Sequence, residues 1–111
     1  MTRRGRQGPP YPIYVLFDPR EPDHPRYVGW TNLLLHDRLS AHVSEARRTP
    51  HTYRARWINS LVRQGLRPGI RVVEEAKDYA EAERRWIAQL RAQGFRLTNG
   101  TDGGRGVFGA R

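Results

Sequence analysis

Arg38 and His42 stand four residues apart in "DRLSAHV", the spacing that stacks two side chains on one face of a helix. A guanidinium stabilises negative charge as it builds on an oxyanion, and an imidazole takes or gives a proton near neutral pH. Leu35, Leu39, Val43 and Ala46 follow helical spacing beside that face. Both side chains are therefore expected at the rim of the core. Further along, Glu83 falls inside an apolar stripe of Tyr79, Trp86, Ile87 and Leu90. A carboxylate facing a core is costly unless it is paired or binds a metal. The plainer alternative is a rim Glu paired with one of the 19 arginines. Tyr14 and Tyr27 lie in two short aromatic stretches, "YPIYVLF" and "RYVGW". A tyrosine accepts a proton only if positive charge pulls its pKa down from near 10, which Arg38 and a bound cation would do. Buried strand tyrosines are otherwise core residues.

These groups need elements to hold them. In residues 11–17, Tyr11, Ile13, Val15 and Phe17 alternate with Tyr14 and Leu16, as on the two faces of a strand. Residues 18–25 contain three prolines and read as a loop. Residues 26–30 then return as a second strand, a hairpin that can put Tyr14 and Tyr27 on the same side. A helix is expected over 33–47 with Thr31 or Asn32 as its N-cap. A second, over 53–64, offers Trp57, Ile58, Leu61 and Val62 for burial and stops at Gly65. Residues 69–75 read as a third strand. Asp78 and Glu81 form a capping box for a helix over 79–93 that Gly94 ends. Residues 95–106 read as a short extended segment and a Gly-rich loop. The order β-β-α-α-β-α predicts an α+β fold, a small three-stranded antiparallel sheet flanked by helices.

The chain has 111 residues, which suits one domain, expected over 11–104 between a disordered basic tail (1–10) and a Gly-rich tail (105–111). There are no cysteines, which excludes disulfides and Cys-based zinc sites. No apolar run reaches the roughly 18 residues of a membrane span, and no apolar segment follows the basic N-terminus as in a secretory signal. A cytoplasmic protein without a membrane partner is the expectation. The net charge of +9, almost all from arginine, favours a polyanionic partner, nucleic acid above others. The loop "NGTDGGRG" lacks the lysine and spacing of a nucleotide-binding P-loop. His36 and His42 lie on different helix faces, and the histidines show no metal-ligand spacing among themselves.

The order of these features resembles the GIY-YIG nuclease family over roughly residues 11–104. The two strand motifs of the family name are matched by Pro12-Ile13-Tyr14 and Tyr27-Val28-Gly29. The helical Arg and the His four residues on are matched by Arg38 and His42, the Glu before Trp-Ile by Glu83 in "ERRWI", and the late Asn by Asn99. His51 takes the place of a further His found in the phage homing-endonuclease branch. Pro12 replaces the first Gly of the family name, and Trp30 is large for its position.

The resemblance implies a divalent-metal-dependent endonuclease acting on nucleic acid, with DNA the expected kind. Glu83 would hold one Mg²⁺ or Mn²⁺, hard cations that take oxygen ligands. Tyr14 would act as general base or position the attacking water, with His42 accepting its proton, and the two could exchange that role. Tyr27 would position water or phosphate, Arg38 would stabilise the transition-state charge, and Asn99 would support the site. Gly29 would allow strand, helix and substrate to approach closely. Thr31 and His51 are secondary candidates for substrate contact. The alternative is a non-catalytic basic nucleic-acid-binding module that keeps the fold.

Overall fold

The computed structural model describes residues 8–100. Most of the expected basic tail and everything from residue 101 onward, including the whole C-terminal tail, lie outside these described residues. Six elements follow in the expected order: β1 (Tyr11–Phe17), β2 (Pro25–Trp30), α1 (Leu35–Arg48), α2 (Tyr53–Arg63), β3 (Gly69–Ala76) and α3 (Tyr79–Ala92). The fold is α+β, a three-stranded antiparallel sheet with helices on both faces.

Strand β1 sits in the middle of the sheet, in the order β2-β1-β3. Its five inner residues are all buried, because both edges are paired and both faces covered. The alternation read from sequence sorts the core into two layers. Ile13 and Val15 face α3, joined by Val28, Ala82, Ile87 and Leu90. Tyr14 and Leu16 face α1 and α2, joined by Ala46, Trp57, Ile58 and Leu61, with Leu35, Leu39 and Val43 packed beside them. Val62 of α2 stays exposed on its outer side. The β1·β3 register shifts between Ile13 and Tyr14, opposite an extra β3 residue, Val73. A bulge of this kind re-aims the side chains next to it, and here it adjoins Tyr14.

Helix ends follow local chemistry. The Asp78 side chain accepts from the Glu81 N–H (3.2 Å), as expected of an N-cap. Gly65 and Gly94 follow α2 and α3 with φ of +79° and +96°, a backbone that suits glycine. The start of α1 differs from expectation. The helix begins at Leu35 after Leu34, with no side-chain cap. The Thr31 hydroxyl instead accepts from the Leu33 N–H (2.9 Å), a short turn that uses up the proposed cap before the helix begins. Helix α3 is fixed to β3 by Glu74, which accepts from the Trp86 indole (2.8 Å) and from Arg85 (3.0 Å).

Pro12 and Trp30, which depart from the motif the sequence resembles, are both packed into the sheet. Pro12 is the second residue of the central strand, fully buried, and its carbonyl accepts from the Thr31 N–H (3.3 Å). Trp30 packs against Tyr11 and Tyr79, with ring centroids 5.4 and 4.2 Å away, so its size fills the α3 side of the sheet.

Gly29 pairs with Tyr14 across the hairpin. A Cβ there would come within 2.6 Å of the Tyr14 hydroxyl and 2.9 Å of the Tyr27 ring. The glycine therefore makes room for the tyrosines themselves. Replacement by alanine must move a buried, hydrogen-bonded ring. Gly29→Ala is expected to lose about 1–3 kcal/mol in urea unfolding; a variant as stable as wild type would show that this contact does not constrain Tyr14.

Candidate functional site

Four of the expected residues meet on the α1/α2 face of the sheet. Tyr14 comes from β1, Tyr27 from β2, and Arg38 and His42 from α1. The Tyr14 and Tyr27 rings lie 6.3 Å apart, and the His42 ring stands edge-on to both, at 5.8 and 5.3 Å. The Tyr14 hydroxyl is 2.6 Å from His42 Nε2 and receives a hydrogen bond from Arg38 Nε at 3.1 Å. A guanidinium only donates, so the phenol oxygen accepts from Arg38 and its one proton is free for His42. That direction makes Nε2 the acceptor and leaves the imidazole proton on Nδ1. Nδ1 is buried and has no hydrogen-bond partner among the described residues.

Burial governs the electrostatics. Tyr14 and His42 are both fully buried, deeper than the rim position expected for His42. Burial raises the Tyr14 pKa above its ordinary value, and Tyr27 adds to the rise. Arg38 does pull it down, as expected, but the pull is smaller. Without a further cation Tyr14 is therefore a neutral phenol, so the expected activation needs the bound cation as well as Arg38. Burial, then Arg38, then Arg54 push the His42 pKa down to about 2, so the ring is neutral and fit to accept.

Arg54 belongs to this cluster and was not among the expected residues. It donates to the Tyr27 hydroxyl (3.1 Å), and its guanidinium carbon lies 5.1 Å from the Tyr27 ring centroid. Glu45 lies 3.9 Å from both Arg38 and Arg54 and holds the two cations on one side of the cluster. Both arginines are about a quarter exposed, at 23% and 27%, so the cluster presents positive charge to solvent above a buried phenol and imidazole. The sequence signal for Arg54 was present in "HTYRARW", where basic and aromatic residues interleave at the start of a helix.

The other expected residues are placed differently. Glu83 is buried, 6% exposed, on the face of α3 that also carries Ala82, Ile87 and Leu90. The core-facing carboxylate read from sequence is thus present, but in the layer across the sheet from Tyr14. The Asn99 side chain accepts from the Val28 N–H (3.0 Å) and donates to the Val28 carbonyl (2.9 Å). It pairs with the outer edge of β2 as a neighbouring strand would, and its own carbonyl accepts from Arg91 of α3 (2.7 Å). Its amide is therefore committed to the backbone. Thr31 is buried with its hydroxyl in the turn before α1. His51 is exposed in the turn before α2.

Among the described residues no three or more His, Cys, Asp or Glu side chains form a metal cage. Mg²⁺ does not require one, since it is commonly held by one or two carboxylates with water and substrate phosphate completing the shell. Glu83 supplies one carboxylate, but at 6% exposure it leaves little room for the water and phosphate that would complete such a shell. Among the described residues no helix is long and apolar enough to cross a membrane. No protein-family model, curated protein or solved structure matches this chain, so the family resemblance rests on the residues alone.

The buried imidazole has a consequence for stability. Below pH about 6.5 the unfolded chain protonates His42 while the folded chain cannot, so the His42 contribution is complete above that pH and is lost as pH falls. Wild type is expected to lose up to about 1.4 kcal/mol per pH unit between about pH 6 and 4.5 from this one group. His42→Gln should flatten that slope in urea titrations. Equal slopes in the two proteins would mean that His42 is protonated in the folded state.

Proposed function

We propose that this chain is a divalent-metal-dependent endonuclease of the GIY-YIG type that hydrolyses phosphodiester bonds in DNA. The observation that carries this reading is the hydrogen-bond chain from Arg38 to Tyr14 to His42 beside the Tyr27–Arg54 pair. A surface that only binds phosphate needs charge; it does not need a buried phenol aimed at a neutral imidazole.

In this reading Arg38 and Arg54 receive the scissile phosphate through paired hydrogen bonds. Engaging the phosphate draws Arg38 off the Tyr14 hydroxyl and opens that oxygen to water. The attacking water gives its proton to the Tyr14 oxygen while the Tyr14 proton passes to His42 Nε2, so no free phenolate forms. The negative phosphate also offsets Arg38 and Arg54, two of the three causes that hold the His42 pKa down, and so raises the basicity of the acceptor. Tyr27 positions the water or a phosphate oxygen. Arg38 and Arg54 then stabilise the extra charge of the transition state. Glu83 is the residue that the resemblance gives to Mg²⁺ or Mn²⁺, which would supply Lewis-acid chemistry; it is buried in the layer across the sheet from Arg38 and Arg54, so none of these steps is routed through it.

A non-catalytic DNA-binding module is the second reading. Full burial of Tyr14 and His42, and the position of Glu83 in the other layer, favour it. Supercoiled-plasmid nicking separates the two. The nuclease reading expects nicking that needs Mg²⁺ or Mn²⁺, stops with EDTA, and falls about 100-fold or more in Arg38→Ala and in a folded Glu83→Gln. DNA binding with no nicking in either metal would overturn it in favour of the module.

A further inference from the structure

Beside the cluster lies a second feature that the proposed chemistry does not use. A cleft of about 390 Å³ opens between α2 and residues 95–98, within the roughly 300–1,000 Å³ range of small-ligand sites. Arg26, Arg56 and Arg96 line it together with Tyr53 and Trp57, and no lining residue is acidic. Among the described residues none of these three arginines has a carboxylate within salt-bridge distance.

Two walls of the cleft are tied to each other. The Arg26 carbonyl accepts from both the N–H and the hydroxyl of Thr98 (2.6 and 2.8 Å), and Arg26 Nε donates to the Arg96 carbonyl (2.8 Å). These bonds hold the 95–98 segment against the end of β2. The Arg26 guanidinium also lies over the Trp57 ring, 5.3 Å from its centroid. Arg56 lies over the Tyr53 ring at 5.9 Å, yet Tyr53 remains 66% exposed. A large aromatic ring kept in solvent beside three guanidiniums forms a stacking platform with phosphate donors around it.

We propose that this cleft takes one unpaired nucleotide of the DNA, its base stacked on Tyr53 and its phosphate held by Arg56 and Arg96. The proposal rests on the nucleic-acid reading above and adds what that reading leaves open, the strandedness of the DNA next to the cut. Continuity with the cluster supports it. Trp57, under the Arg26 guanidinium, packs in the same layer as Tyr14 and Tyr27, so the cleft borders the layer that holds the cluster. A base inside a duplex is already stacked and cannot reach such a platform; an unpaired base can.

Equilibrium binding in EDTA tests this without cleavage, using the full chain with a labelled oligothymidylate and with a labelled duplex of the same length. Tyr53 is exposed at the first turn of α2, where alanine is a good helix former, so Tyr53→Ala keeps the fold. Wild type is expected to bind both ligands. Tyr53→Ala should weaken the single strand about tenfold while changing the duplex by less than about twofold. Arg63→Ala, on the same helix outside the cleft, should weaken both ligands alike and slightly. No effect of Tyr53→Ala, or an equal loss on both ligands, overturns the cleft and leaves the nucleic-acid reading standing. Failure of wild type to bind either ligand overturns both.

Discussion

A phenol hydroxyl at the centre of a small sheet needs both a donor and an acceptor, because a buried polar group left unpaired costs a large share of a small protein's stability. Tyr14 finds them in Arg38 and His42, one turn apart on α1. That requirement fixes much else. Helix α1 must lie with its Arg38–His42 edge over β1. Residue 29 must have no side chain. Tyr27 must stand beside Tyr14, two residues before that glycine on the same strand face. Arg54 then balances Tyr27 from α2, and Glu45 ties the two arginines together across the helix pair. The cluster links β1, β2, α1 and α2, so its geometry is set by the fold and not by a mobile loop.

Much of this could be read from the sequence because strand alternation and helical spacing are strict. The two faces of β1, the stripe of α1 and the buried Glu83 on α3 all follow from those periods. Periodicity says which side of an element a residue takes, but not how deep it lies. Hence His42 was expected at a rim and is fully buried. It also does not say which polar group a side chain will choose. Thr31 had the right type for a helix cap and bonds within the preceding turn. Asn99 was expected beside a metal or substrate, yet its amide fits the unpaired edge of β2. Arg54 was legible only as part of the basic and aromatic run "HTYRARW", since its place beside Tyr27 depends on tertiary packing.

Gly29 shows how one residue type can have two explanations. The motif suggests room for a substrate; the packing shows room for Tyr14 and Tyr27. The charge is likewise organised locally. Around the cluster it is balanced in part by Glu45, whereas the cleft between α2 and residues 95–98 has no acidic residue in its lining. Both regions draw on β2 and α2: Tyr27 and Arg54 belong to the cluster, Arg26, Tyr53, Arg56 and Trp57 to the cleft.

The direction of the Tyr14 proton is the central claim, and nitrogen NMR of the His42 imidazole reads it directly. The account predicts one neutral tautomer, protonated at Nδ1 with Nε2 accepting, that persists from pH 7 down to about 4.5 in the folded protein. A ring that titrates near pH 6.5, or one protonated at Nε2, would contradict it, because Tyr14 would then have no acceptor for its proton.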